Sequence, residues 1–122
     1  MNDQIETEIQ KKGLTAPRVT PARIEEVIAS EHYFTAAEGV MGAMQDVGAY
    51  AEAGITPRSL GLLTFCVLAL DNGFTVTGES ACASPENFDA ELGRKIARQN
   101  AMQKIWPLEG YLLRQKLNDG EG

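Results

Sequence analysis

The clearest pattern of hydrophobic and polar positions lies between residues 62 and 80. A nearly continuous apolar run, 62–70, leads into the turn signal Asp71-Asn72-Gly73, and a second run, 74–80, alternates apolar and polar residues. Two such runs around an Asn-Gly pair are typical of a β-hairpin. The first run places apolar residues on both faces of the strand, so the pattern also predicts that another element covers its second face.

A helical pattern follows the hairpin and predicts a long helix from Ser84-Pro85 to about Leu117. Serine is a favoured N-cap residue, and proline is tolerated in the first turn. The apolar residues recur at helical spacing in two adjoining lines, Phe88, Leu92 and Ile96, and Ala97, Ala101, Ile105, Leu108 and Leu112. Pro107 cannot donate a helical hydrogen bond, so it predicts a kink after Trp106.

Toward the N-terminus, Thr20-Pro21 predicts the start of a first helix. The spacing of Ile24, Val27, Ile28 and Glu31 extends this helix toward the aromatic pair Tyr33-Phe34. A lone hairpin is marginally stable in water, so we expect another strand or a second subunit to complete the sheet.

These patterns predict one α+β domain over residues 19–117. In this fold the hairpin, about 62–80, packs against an N-terminal helix and a long C-terminal helix kinked at Pro107. Residues 1–18 are expected to form a flexible polar arm, and residues 118–122 a frayed end. The Gly- and Ala-rich stretch 39–54 is compatible with either a loose helix or an irregular loop.

The charge pattern changes the functional expectation. The chain of 122 residues has a net charge of −6, which argues against general nucleic-acid binding because phosphate affinity needs clustered Lys and Arg. The acids dominate residues 1–88, whereas the segment 94–116 carries six bases and one acid. Such a basic segment indicates a phosphate site, an acidic partner, or ion pairs with the acidic half, the last being the commonest case.

Targeting and redox signals are sparse. Cys66 and Cys82 are too few for a disulfide framework and are expected to be reduced, packed thiols. The polar, acidic first residues do not resemble a signal peptide, and the apolar run 60–70 is too short to span a bilayer. We therefore expect a soluble, cytosolic protein that does not act at a membrane.

No arrangement of residues in the sequence matches a complete catalytic motif. Gly78-Glu79-Ser80-Ala81-Cys82 differs from a nucleophile elbow at its last position, and the single histidine, His32, lies upstream of it. A Cys82–His32 pair would need a lowered thiol pKa, which small apolar neighbours disfavour. The acids Glu86, Asp89 and Glu91 suit a helix start better than a metal site. We expect no enzyme activity, no cofactor and no bound metal.

The best ligand-binding candidates are Arg94, Lys95 and Arg98. Arg94 and Arg98 lie one helical turn apart, so both could reach one anion, and Glu79 and Ser80 are close in sequence. The alternative is a solvated helix face paired with Glu91 or with the acidic half of the chain, which is the more common arrangement.

Several segments together resemble a known family. They are IASEHYFTA (28–36), LLTFCVL (62–68), NGFTVTGESAC (72–82), SPENFDAE (84–91), GRKIAR (93–98) and IWPLEGYLL (105–113). They are similar to the phage-protein family named for gene product 49 of coliphage N-four and gene 66 of phage Sf-six. This resemblance implies a phage or prophage accessory protein that acts in the cytoplasm of a bacterial host, and it assigns no catalytic residues.

Three functional hypotheses follow. The first is a non-enzymatic homo-oligomer that sequesters a nucleotide-type small ligand, such as a phosphate-bearing defence signal, with Arg94, Lys95 and Arg98. The second is an acidic inhibitor that binds a host protein, with charge steering its association. The third is a metal-dependent nucleotide hydrolase that uses Glu79, Asp89 or Glu91.

Overall fold

The computed structural model describes residues 3–44 and 58–120 and has an α+β fold, as the sequence predicts. Within these ranges the strands β1 (Ile28–Thr35), β2 (Leu63–Leu70) and β3 (Thr75–Ala81) form an antiparallel sheet in the order β1-β2-β3. The helices are α1 (Asp3–Lys11), α2 (Pro21–Glu26), α3 (Ala36–Met44), α4 (Ala90–Gln103) and α5 (Ile105–Asn118). Of the Gly-rich stretch 39–54, residues 39–44 belong to α3 and the remainder lies outside the described ranges.

The predicted hairpin is confirmed as strands β2 and β3, joined by the turn Asp71-Asn72-Gly73 and by Phe74. The Leu70 N–H donates to the Phe74 carbonyl at 2.8 Å, and Gly73 adopts φ +89°, which glycine reaches without steric cost. The Asn72 side-chain oxygen accepts a hydrogen bond from the Phe74 N–H at 3.0 Å. The tip of the hairpin is therefore fixed by its own hydrogen bonds.

Strand β1 corrects one prediction and supports another. The start of α2 is as predicted, because the Thr20 hydroxyl accepts from the Arg23 N–H at 3.1 Å. The helix ends at Glu26, however, and the expected continuation through Tyr33 and Phe34 is wrong: Ile28–Thr35 pairs with β2. Pairing satisfies the backbone groups of this β-branched and aromatic segment, so tertiary contacts override its partial helical spacing. The hairpin thus gains its third strand from the same chain.

The C-terminal helix begins later and breaks earlier than predicted. Ser84 makes no cap to a backbone N–H, residues Pro85–Asn87 form a short 3₁₀ turn, and Asp89 caps α4 by accepting from the Leu92 N–H at 3.0 Å. The break lies at Lys104, just before α5. Pro107 has no N–H for the Gln103 carbonyl, and its ring would clash with that carbonyl, so the bend caused by Pro107 falls ahead of Trp106.

The core lies between α4 and one face of the sheet. A Cβ added at Gly78 would overlap the Ala97 carbonyl oxygen and the Ala101 backbone nitrogen, so the helix backbone lies directly against β3 at this glycine. The fully buried large side chains are Ile24, Leu68, Ile105 and Cys66. Ala97 and Ala101 are the residues of α4 that contact the sheet at Gly78. The other predicted apolar line, Phe88, Leu92 and Ile96, therefore faces away from this contact: Leu92 is 54% exposed and Ile96 40% exposed.

Residues 1–18 contain a helix that the polar sequence does not predict. Two nitrogens of the Arg18 guanidinium donate to the Glu6 carboxylate, each at 2.7 Å. The hydrogen bonds from Arg18, followed by that from Gln10, lower the pKa of Glu6 to about 2. No residue of α1 is buried. The boundaries 1–18, 19–117 and 118–122 stay predictions.

Candidate functional site

Arg98 is held by two carboxylates from other elements. Its Nη2 donates to Glu25 Oε2 at 2.8 Å and its Nε to Glu31 Oε2 at 2.7 Å. Its Nη1 lies 3.1 Å from Glu25 Oε1 and 2.9 Å from Met102 Sδ. These contacts raise the pKa of Arg98, chiefly through the Glu25 hydrogen bond, and lower the pKa of Glu25. All three guanidinium nitrogens are engaged, and they tie α4 to α2 and β1.

The other two candidate cations lie on the same helix but are not built into the core. Lys95 Nζ is 3.4 Å from Glu91 Oε1 one turn earlier, and both side chains are well exposed. Arg94 is exposed and makes no ion pair with any residue in the described ranges. Of the predicted cations, Arg94 is therefore the one most available to a ligand.

Glu79 and Ser80 lie on opposite faces of β3, so the two side chains do not face the cations of α4 together. Successive side chains of a strand point to opposite faces, so Ser80 shares the face of Gly78, toward α4, and Glu79 lies on the other face. Helix α4 does reach the backbone of Glu79, where the Asn100 amide donates to its carbonyl at 2.8 Å. The structure thus separates the Glu79 carboxylate from the basic residues of α4.

The structure contains a different concave site, which we call the hairpin groove, between the tip of the hairpin and α5. Its volume is about 470 Å³. Its apolar lining consists of Val27, Leu70, Phe74, Leu108, Tyr111 and Leu112. Val27 and Leu70 are buried, whereas Phe74 is 57% exposed, Tyr111 73% and Leu112 45%. The groove therefore has a buried apolar floor and three large, exposed hydrophobic side chains around it.

The groove has an acidic rim. Arg23 Nε donates to Glu109 Oε1 at 2.7 Å, and its Nη1 lies 4.0 Å from Glu26 Oε1. The charges of Glu109, Glu26 and Asp71 all act on Arg23 and, with the Glu109 hydrogen bond as the largest cause, raise its pKa. Arg23, Glu109 and Asp71 line the groove, and Glu26 lies beside Arg23 at its edge. These four groups, which we call the acidic rim, together carry a net charge of −2.

Sequence reasoning missed this groove because it placed Leu112 and its neighbours in the core. Helical spacing alone does not distinguish a residue under the sheet from one beyond the end of it. The available signal was Phe74, an aromatic residue directly after a polar turn. The break at Lys104, and the direction that α5 takes after it, bring Tyr111 and Leu112 beside Phe74.

The Cys82 thiol and the His32 imidazole are each hydrogen-bonded to other groups and not to each other. Burial raises the pKa of the Cys66 thiol. The Cys82 thiol donates to the Ser84 carbonyl at 3.1 Å, while the His32 ring lies 3.0 Å from the Ser30 hydroxyl. Across residues 3–44 and 58–120, no three His, Cys, Asp or Glu side chains come together as metal ligands. None of the described helices is both long and apolar enough to cross a membrane.

The observations define an α+β protein whose meander of three strands carries α4 on one face and presents an apolar groove at the hairpin tip. The family described as Phage protein (N4 Gp49/phage Sf6 gene 66) matches residues 19–117. This match spans more than half of the chain, so the chain belongs to that family, as its sequence motifs indicate. Neither a curated protein nor a solved structure matches it.

Proposed function

We propose that this phage accessory protein is not an enzyme and acts in the bacterial host cytoplasm by binding a host protein through the hairpin groove. The exposure of Phe74, Tyr111 and Leu112 around one preformed cleft carries this proposal. Exposed aromatic residues beside an apolar pocket are characteristic of the central contacts in protein interfaces. The acidic net charge of the chain supports a basic partner and faster association with it.

The proposal is tested by affinity capture from bacterial lysate with three forms of the full chain. They are the wild type, a Phe74→Ser/Tyr111→Ser variant and a Leu92→Ser variant, which removes a comparably exposed apolar residue from α4. A host protein held by the wild type and by Leu92→Ser, but lost with the groove variant, supports the proposal once the purified pair reproduces the difference. Equal retention by all three forms contradicts it.

A phosphate-bearing nucleotide signal is the second candidate ligand, favoured by the exposed guanidinium of Arg94 next to Lys95. Arg98 is a poor test residue because its loss would also release Glu25 and Glu31. The clean test is Arg94→Glu/Lys95→Glu, with retained nucleotides identified by native mass spectrometry. A nucleotide mass present on the wild type and absent from this variant would favour sequestration, in which a homo-oligomer would supply further contacts. A nucleotide converted to product would instead indicate the hydrolase alternative.

A further inference from the structure

We infer that the hairpin groove takes a short protein segment in which a large apolar side chain is flanked by Lys or Arg. This inference rests on the proposed function, because it specifies the chemistry of the partner at the same groove. The alternatives for that position are an acidic or uncharged segment and a second copy of this chain.

The apolar part of the inference comes from the floor of the groove. Val27 and Leu70 close the bottom, and Leu108 forms part of the wall. A volume of about 470 Å³ lies within the range of ordinary ligand pockets and leaves room for a large aliphatic or aromatic side chain. Phe74 and Tyr111 would then cover that side chain and exclude water from it.

The basic part of the inference comes from the charges that remain uncompensated. Arg23 and Glu109 neutralise each other at 2.7 Å, which leaves the carboxylates of Glu26 and Asp71 on the rim. A neighbouring depression shares Arg23, Glu109 and Leu112 with the groove and also contains Arg18 and Lys116. Arg18 is already paired with Glu6, and Lys116 is exposed but does not line the hairpin groove itself. A cation flanking the apolar anchor would therefore meet the acidic rim of the hairpin groove.

The groove is held in shape before any partner arrives. The Asp71 N–H donates to the Val27 carbonyl at 3.0 Å, which fixes the turn against the end of α2. The Arg23–Glu109 bond joins α2 to α5 across 86 positions of sequence. A preformed site loses less conformational freedom on binding than a mobile one, so a short segment suffices as ligand.

The same charges disfavour a second copy as the occupant. A symmetric dimer through this groove would place two copies of one surface against each other. Both copies would then bring their Glu26 and Asp71 carboxylates into one contact area, and like charges gathered in a partly desolvated interface repel.

The experiment selects binders from a random displayed peptide library on the full-length wild-type protein. Selected peptides are then synthesised and measured against Phe74→Ser, against the rim variant Glu26→Gln/Asp71→Asn, and against the matched acid control Glu8→Gln/Glu91→Gln. We expect peptides with an aromatic or aliphatic anchor and Lys or Arg on both sides. Affinity should fall at least about tenfold with Phe74→Ser and several-fold with the rim variant, and stay unchanged with the acid control.

The outcomes separate this inference from the proposed function. Peptides that need Phe74 but show no preference for Lys or Arg, or are insensitive to the rim variant, overturn the inference and leave the protein-binding groove standing. Peptides that bind Phe74→Ser as well as the wild type overturn both. A concentration-dependent dimer of the wild type that Phe74→Ser dissolves also overturns the inference, because the occupant would then be a second copy.

Discussion

Gly78 determines how closely helix and sheet approach. Its missing side chain lets the Ala97 carbonyl and the Ala101 backbone nitrogen of α4 lie directly over β3. Since both neighbours are backbone atoms, no rotamer change can make room for a methyl group. The role of Gly78 is thus to allow a close contact between the backbones of α4 and β3.

Gly78→Ala should therefore destabilise the protein, by about 2 to 3 kcal/mol, because α4 must shift away from the sheet. Chemical denaturation followed by circular dichroism measures this change. The matched control is Gly110→Ala in α5, where an added Cβ meets nothing within 4 Å. That substitution should raise the free energy of unfolding by about 0.5 to 1 kcal/mol, since alanine favours a helix more than glycine does. Equal effects at the two positions would contradict the packing argument.

Arg98→Met should lower the free energy of unfolding by about 1 to 2 kcal/mol at neutral pH. The substitution removes the charged hydrogen bonds to Glu25 and Glu31, and their contribution is reduced because all three side chains are partly exposed. Lys95→Met is the control, because its pair with Glu91 is fully in solvent and should contribute less than about 0.5 kcal/mol.

The effect of Arg98→Met should also depend on pH. Pairing with Arg98 lowers the pKa of Glu25 below its ordinary value of 4.5, so the stabilisation is complete above that pH and is lost as the pH falls through the lowered pKa. The wild type and Arg98→Met should therefore converge in stability in acid. Denaturation curves on both sides of pH 4.5 test this, and a difference that persists unchanged in acid would exclude the ion pair as its cause.

At the scale of the elements, the ends of the helices decide where the C-terminal half bends. Asp89→Ala should cost about 1 kcal/mol because the carboxylate caps the Leu92 N–H at the start of α4. Ser84→Ala should change stability little, since the Ser84 hydroxyl bonds only the exposed Glu86 carboxylate. Urea denaturation of both variants provides the comparison; a larger loss for Ser84→Ala would restore the earlier predicted helix start.

The two edges of the sheet are partly closed by side chains. Residue pairs of an antiparallel ladder alternate between hydrogen-bonded and non-hydrogen-bonded, and the hydrogen bond between Leu70 and Phe74 fixes which pairs are which. By this alternation the backbone groups of Glu79 point away from β2, and those of Thr35 also point away from the sheet. Asn100 occupies the Glu79 carbonyl, and the Glu38 carboxylate accepts from the Thr35 N–H at 2.8 Å. One outward-facing backbone group of each edge strand is thus already paired within the chain and is not open to another strand.

The elements that local chemistry determines were predictable from the sequence. The Asn-Gly turn specified the hairpin, Thr20-Pro21 specified the start of α2, and Pro107 specified a bend. The segment Ile28–Thr35 was not predictable by the same means, because its apolar residues fit a helix in part and only pairing with β2 makes it a strand. Serine before proline likewise resembled a cap, but the better acceptor, Asp89, lay five residues on.

At the scale of the whole molecule, the candidate site follows from contacts that no local pattern contains. Arg98 binds Glu25, which lies 73 positions away in the sequence. From the sequence, an ion pair between Arg98 and the acidic half of the chain was therefore only one of several alternatives. The hairpin groove joins residues from α2, the turn and α5. The third strand also removes the instability of an isolated hairpin. The homo-oligomer therefore stays a prediction, and the need to complete the sheet no longer supports it.

Deleting residues 1–15 should leave the rest of the protein folded. No side chain of α1 is buried, and the matched family segment starts at residue 19. The deletion removes Glu6 and leaves the Arg18 side chain to the solvent. We expect a melting temperature within a few degrees of the full chain by circular dichroism; cooperative loss of the sheet signal at ambient temperature would contradict this expectation.

The contact of Arg98 with both Glu25 and Glu31 has a consequence for how the folded chain opens. Because one guanidinium joins α4 to α2 and to β1, separation of α4 from the sheet breaks the side-chain links to both other elements in the same event. Their amide protons should then exchange with solvent as one cooperative unit, while those of α1 exchange earlier. In Arg98→Met the unit should divide, with α2 and β1 exchanging before α4.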